Sequence, residues 1–207
     1  GRGLKDMPEE TDLSEDAVKN CGFVRGEDLF RLRAAAIILK DQKVLMAVND
    51  RDPYCYSVGG AVHLGESARE AVVHEVLEET GAAMETDRLA FVHENFFIGT
   101  DGLRWHEVAF YFLMKVPEGF APRDGSLSMQ GVAEHMVWLP VDRLSEYTAH
   151  PAFFARELPR LGEGVRHILT QEDRQGEEPA GYSEPVDEQS ARNVSGCSTP
   201  ISGRVDQ

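Results

Sequence analysis

From Phe23 onward the chain alternates long apolar runs with short polar breaks. Residues 29–40 (LFRLRAAAIILK) and 43–50 (KVLMAVND) are β-compatible runs separated by the turn-like Lys40-Asp41-Gln42, which predicts a hairpin. Arg51-Asp52-Pro53 predicts a loop, because proline cannot donate to a ladder and restricts its predecessor. Residues 54–58 then form a short extended piece leading to Gly59-Gly60. The next run changes period. Val73, Val76 and Leu77 share one side of a helix, which the capping-box spacing of Ser67 and Glu70 starts and Gly81 stops. Residues 89–98 and 105–116 predict two strands across the turn at 99–102, the second more apolar and therefore near the sheet centre. A Pro/Gly/Ser-rich loop at 117–131, a strand at 134–139, short helices at 141–147 and from Pro151, and a last strand at 164–170 complete the pattern.

The two ends lack this texture. Residues 1–20 read as a polar, acidic arm, and residues 171–207, rich in Glu, Gln, Ser, Gly and Pro, as a disordered acidic tail. One domain over residues 21–170 is therefore expected in the 207-residue chain. The net charge of -15 argues against a nucleic-acid duplex or an anionic membrane surface as partner. No apolar run approaches the roughly 18 residues of a membrane span. Cys21, Cys55 and Cys197 form neither a disulfide framework nor a zinc knuckle, so a reducing, cytoplasmic setting is expected. The sequence opens on Gly1 without a signal-peptide pattern, which leaves a removed leader undecided, and homodimerisation is left open too.

The helix carries the candidate chemistry. At 100° per residue Glu75 and Glu79 fall roughly 40° apart, with Glu78 on the shoulder of the same face. Like charges at i, i+3 and i+4 destabilise a helix unless a cation sits among them, and a hard divalent metal with oxygen ligands is the simplest candidate. A solvated charged face is the alternative.

Gly60, five residues, Glu66, seven residues and then His74-Glu75-Val76-Leu77-Glu78-Glu79-Thr80-Gly81-Ala82 resembles the Nudix box, Gly-x5-Glu-x7-Arg-Glu-U-x-Glu-Glu-x-Gly-U with U apolar. Every fixed position matches except the arginine, which is His74 here. The resemblance extends from about Phe23 to Thr170. It implies an α/β fold, an α/β/α sandwich around a mixed β-sheet, and metal-dependent hydrolysis of a nucleoside diphosphate linked to another group. ADP-ribose-like compounds and nucleoside triphosphates are both substrate options. By position, Glu75 and Glu79 would be the main ligands of Mg²⁺ or Mn²⁺, with Glu78 a further ligand or one reached through water and the Gly60 carbonyl assisting; Glu66 would be a structural or outer-shell acid. A diphosphate and this acidic face repel one another, so the reading needs the ion to neutralise both and polarise the phosphoryl oxygens.

His74 leaves two outcomes open. Histidine hydrogen-bonds a box glutamate and preserves a working site, or the site is redirected from hydrolysis to binding, since imidazole loses its charge near neutral pH where arginine does not. His63, where the family commonly has an acid, receives no role. For the general base, Glu107 on an apolar strand is taken ahead of Glu134. Arg33 and Arg51 are the candidate phosphate contacts, with Arg104 behind them, and Phe97 is a candidate face for a base to stack on. A scaffold displaying the acidic tail is a third reading.

Overall fold

A computed structural model of the chain describes residues 20–49, 51, 54–123, 126–127, 133–171 and 182–185. The expected N-terminal arm up to residue 19, the loop at Asp52-Pro53 and most of the expected tail lie outside the described residues. Within them, the chain forms two sheets, three short helical segments and one 13-residue helix, α1 (Ala68–Thr80).

The first sheet runs β1 (Gly22–Arg25), β2 (Asp28–Ile37), β8 (Arg104–Lys115), β7 (Glu85–Ile98), β12 (Arg166–Gln171) and β13 (Tyr182–Pro185), with β6 (Gly59–Ala61) also bonded to β2. It is mixed: β2 and β8 pair in parallel, as do β7 and β12, while β7 and β8 are antiparallel. The second sheet runs β11 (Ala149–His150), β5 (Cys55–Tyr56), β4 (Lys43–Asn49), β10 (Ala133–Pro140) and β9 (Ser126–Leu127), with β3 (Leu39–Lys40) on β4.

The expected hairpin between residues 29–40 and 43–50 forms only at its tip. Asp41 and Gln42 both have positive φ, 49° and 62°, which makes the two-residue turn that suits paired strands. Ladder pairing covers Leu39↔Val44 and Lys40↔Lys43, and Leu45 N–H still reaches the Ile38 carbonyl at 2.9 Å. Before that, β2 departs into the first sheet while β4 stays in the second. Ala34 and Ala36 pack toward α1, whereas Ala35 and Ile37 pack on the opposite layer with Val44 and Met46. A strand buried on both faces carries no hydrophobic preference for one neighbour, so the pattern shows the strands without their partners.

The layers follow the same alternation in β8. Ala109 and Tyr111 face a core shared with Phe91, Phe153, Phe154 and Leu158, and Phe112 and Met114 face one shared with Val72 and Val76 of α1. That is the expected α/β/α sandwich: α1 covers one side, and α2 (Phe154–Glu157) with its flanking 3-10 turns covers the other. β8 lies centrally, between β2 and β7.

At the edge of the core that holds Phe154 and Leu158 the chain buries an ion cluster that the sequence pattern does not signal. Glu157 is fully buried, and its carboxylate accepts from Arg156 at 2.7 Å, from Arg160 at 2.9 Å and from Arg166.

Candidate active site

Helix α1 begins and ends as its sequence dictates. Ser67 accepts from the Glu70 amide while the Glu70 side chain accepts from the Ser67 amide, and Gly81 closes the helix in the left-handed conformation, φ 75°. The buried stripe is Ala71, Val72, Val76 and Thr80. Leu77, expected on that side, is 48% exposed instead. The stripe therefore runs beside Glu75 and Glu79, and the helical i, i+3, i+4 repeat carries these two acids against the sheet.

Gly59 and Gly60 make room for them. Gly59 has φ 139°, and a Cβ there would stand 2.3 Å from the Ala34 carbonyl oxygen, so only glycine lets β6 approach β2. A Cβ on Gly60 would stand 2.2 Å from Glu75 Oε1. The Gly59 amide donates to Glu79 Oε1 at 2.9 Å, while Glu79 Oε2 is buried without a hydrogen-bond partner. Burial pushes the Glu79 carboxyl up to about 8, against the Gly59 bond and with help from the nearby charges of Glu134 and Glu75. Burial also raises Glu75. A buried carboxylate oxygen left unpaired near a second carboxylate is costly unless a cation partners it. Oxygen ligands from Glu75 and Glu79 fit a hard divalent ion.

Glu134, on β10, joins this group. Its carboxylate accepts from the Tyr56 hydroxyl, to which Asn49 Nδ2 donates at 3.4 Å. Tyr56 is raised well above its ordinary pKa, first by burial and then by Glu134, so it stays a donor.

The other sequence-derived residues separate. Glu78 stands on the exposed side of α1, where its Oε1 lies 2.9 Å from His74 Nε2. That bond raises the His74 pKa. Glu107 is buried on β8 and paired with Arg31, its register partner on β2; the guanidinium Nε donates to Oε2 at 2.7 Å. Arg31 also stacks over Trp105, with its guanidinium carbon 4.7 Å from the ring, and Trp105 stacks on Phe97 at 5.5 Å between centroids. Phe97 is thus part of an aromatic ledge at the end of the first sheet. Arg33 donates from Nη2 to the carbonyls of Ser57 and Gly59, at 2.8 and 3.1 Å, and so braces the strand that carries the glycines. Arg51 is exposed beyond the end of β4, its amide bonded to Asn49 Oδ1 at 3.0 Å. Arg104, at the far end of β8, pairs with Asp28.

Arg31, and Tyr56 as the donor to Glu134, escaped the sequence reading. Arg31 shares with Arg33 the alternation of LFRLR, the one local signal for a strand face carrying both cations; its partner lies 76 residues away.

Comparison with known proteins identifies the domain. The NUDIX domain model matches residues 29–161. A Caenorhabditis elegans protein named for its resemblance to nudix hydrolases is 35% identical over 98 residues, covering 44% of this chain and 25% of the relative. An ADP-ribose pyrophosphatase of Methanocaldococcus jannaschii is 34% identical over 86 residues, covering 40% of this chain and 49% of the relative. The chain thus spans about a quarter and about half the lengths of these two relatives. Among solved structures, the MutT protein of Bacillus halodurans superposes with a TM-score of 0.55 at 15% identity, over 74% of this chain and 97% of that one, which is a likeness of fold. With the domain matched over most of the described residues and the box laid out as a capped helix against a glycine pair, the chain belongs to the NUDIX-domain family.

Proposed function

We propose that the chain hydrolyses the diphosphate linkage of a nucleoside diphosphate derivative, with Glu75, Glu79 and the Gly60 carbonyl holding a divalent ion, Mg²⁺ or Mn²⁺. One observation carries the reading: Glu79 presents a buried, unpartnered oxygen next to Glu75 and the space that Gly60 leaves. The bound ion would supply charge neutralisation and polarised phosphoryl oxygens. Glu78, exposed and bonded to His74, would support the site from outside, through His74 rather than through the buried pair.

The protein's own groups would do the positioning. Glu134 is the general base better supported by geometry, because its carboxylate lies in the field of Glu79 and is oriented by a neutral tyrosine hydroxyl. Glu107 already accepts from the charged Arg31, which suits it to hold Arg31 at the ledge. Arg51 and the Phe97–Trp105 ledge are the proposed contacts for phosphate and base, and Arg33 would act by keeping Gly59 in place. The name of the Methanocaldococcus relative makes an ADP-ribose-like compound the first substrate to test, with nucleoside triphosphates second. No helix among the described residues is long and apolar enough to cross a membrane. A cytoplasmic setting is the proposal the cysteine pattern supports.

The test is a panel of dinucleotides, ADP-ribose and nucleoside triphosphates with Mg²⁺ or Mn²⁺ in ¹⁸O-water. A nucleoside monophosphate plus a second phosphorylated product, one of them carrying the label, is expected. Tight nucleotide binding without metal-stimulated turnover would favour a binding role instead.

A further inference from the structure

The loop between β6 and α1 gathers three metal-ligating side chains that the proposed reaction does not use as ligands. His63 Nδ1 lies 3.7 Å from Glu66 Oε2, and His74 Nδ1 lies 3.6 Å from Glu66 Oε1. Taking one donor atom from each residue, all three fall within 4.8 Å of one another. The two ring centroids stand 5.9 Å apart with their planes tilted by 59°. These separations are too long for hydrogen bonds. They are close to the edges of a tetrahedral coordination sphere, in which ligands about 2.1 Å from a zinc ion stand about 3.4 Å apart.

The supports that orient such ligands are in place. With His74 Nε2 bonded to Glu78, Nδ1 is the ring nitrogen that faces the Glu66 carboxylate. A carboxylate on the far nitrogen is what metal-binding histidines characteristically carry. Glu66 Oε2 accepts the His63 amide at 3.1 Å, and the Glu66 amide donates to the His63 carbonyl at 3.1 Å, so two of the three residues are fixed to each other through the backbone. The His63 backbone is further bridged to Asn20. Side-chain exposures of 37%, 20% and 40% for His63, Glu66 and His74 leave an entry path and a coordination position open to solvent.

We propose that His63, Glu66 and His74 bind one transition-metal ion of the Zn²⁺ class, at a site separate from the all-oxygen face of Glu75 and Glu79. Imidazole nitrogen selects Zn²⁺, Ni²⁺ or Cu²⁺ over Mg²⁺, whereas carboxylate and carbonyl oxygens suit Mg²⁺. Histidine at position 74 then has a positive reason, since a guanidinium in its place could pair with Glu66 but not coordinate. The proposal does not depend on the hydrolase reading.

The experiment uses the tag-free full chain in excess Mg²⁺, titrated with Zn²⁺ by calorimetry and with Co²⁺ by visible absorption. One equivalent of Zn²⁺ and a Co²⁺ ligand-field band are expected. Binding should weaken by about tenfold or more in His63→Ala and in His74→Arg, and persist in Glu79→Gln. Circular dichroism verifies the fold of each variant, and His74→Arg keeps a cation between Glu66 and Glu78. Absence of Zn²⁺ binding in wild type, affinity unchanged in both histidine variants, or equal loss in Glu79→Gln would each overturn the proposal. Turnover with Mg²⁺, scored separately, keeps that outcome distinct from the fate of the hydrolase reading.

Discussion

The amide of Gly59 holds one oxygen of Glu79 at 2.9 Å and leaves the other, buried, without a partner. A backbone donor thus fixes the carboxylate from a strand that only glycine can bring so near β2. Gly59→Ala should be destabilising by about 2–3 kcal/mol, because its φ of 139° and the Ala34 carbonyl both reject a side chain. Gly60→Ala meets the flexible tip of Glu75 instead. It should fold, and lose about tenfold in affinity for Mn²⁺ with little change in denaturation midpoint. Calorimetric Mn²⁺ titration beside a urea melt separates the two effects.

Glu134 and Glu107 make a second comparison. If the carboxylate bonded by Tyr56 is the base, Glu134→Gln lowers kcat by about 100-fold or more with KM nearly kept. Glu107→Gln, which loosens Arg31, should act chiefly on KM. Steady-state kinetics of both variants on one substrate decides the assignment, and a larger kcat loss in Glu107→Gln would reverse it.

His93 supplies a pH dependence away from the metal face. It is buried against Tyr111 and Phe153, with Nε2 2.7 Å from Thr170 Oγ1, and burial depresses its pKa from 6.5 to about 4. The unfolded chain therefore takes up this proton first. The stability His93 contributes is fully present above about pH 6.5 and is lost as pH falls through about 4. Denaturation midpoints at pH 7 and pH 4.5 should differ less in His93→Phe than in wild type.

Glu157 tests the architecture alone. Glu157→Ala removes the fully buried carboxylate that Arg156, Arg160 and Arg166 share, so a loss of about 3 kcal/mol is expected. Any turnover by the variant that remains folded should match wild type below its melting temperature.

These residues also show what a linear reading of the chain reaches. Ser67, Glu70 and Gly81 encode the ends of α1 within a few residues of themselves, because capping is local. The pairing of Glu75 with Glu79 is local too, set by helical spacing. Glu78 shares that spacing, yet the sheet lies on one side of α1 only, and so it turns to solvent and His74. The wider hairpin fails for a related reason: β2 is buried on both faces, and its alternation does not say whether β4 or β8 is its neighbour. Arg31 with Glu107, and Tyr56 with Glu134, meet across 76 and 78 residues through strand placement alone. Loop geometry, absent from the sequence pattern, brings His63 to Glu66 and His74.

The central claim is that Glu75 and Glu79 form the metal-holding face of a pyrophosphate hydrolase. Its most direct measurement is kcat/KM with Mg²⁺ for wild type and Glu79→Gln on the best substrate of the panel. A loss of at least about 100-fold in the variant is predicted, since the amide keeps the shape but not the charge. Undiminished turnover by Glu79→Gln would contradict the account.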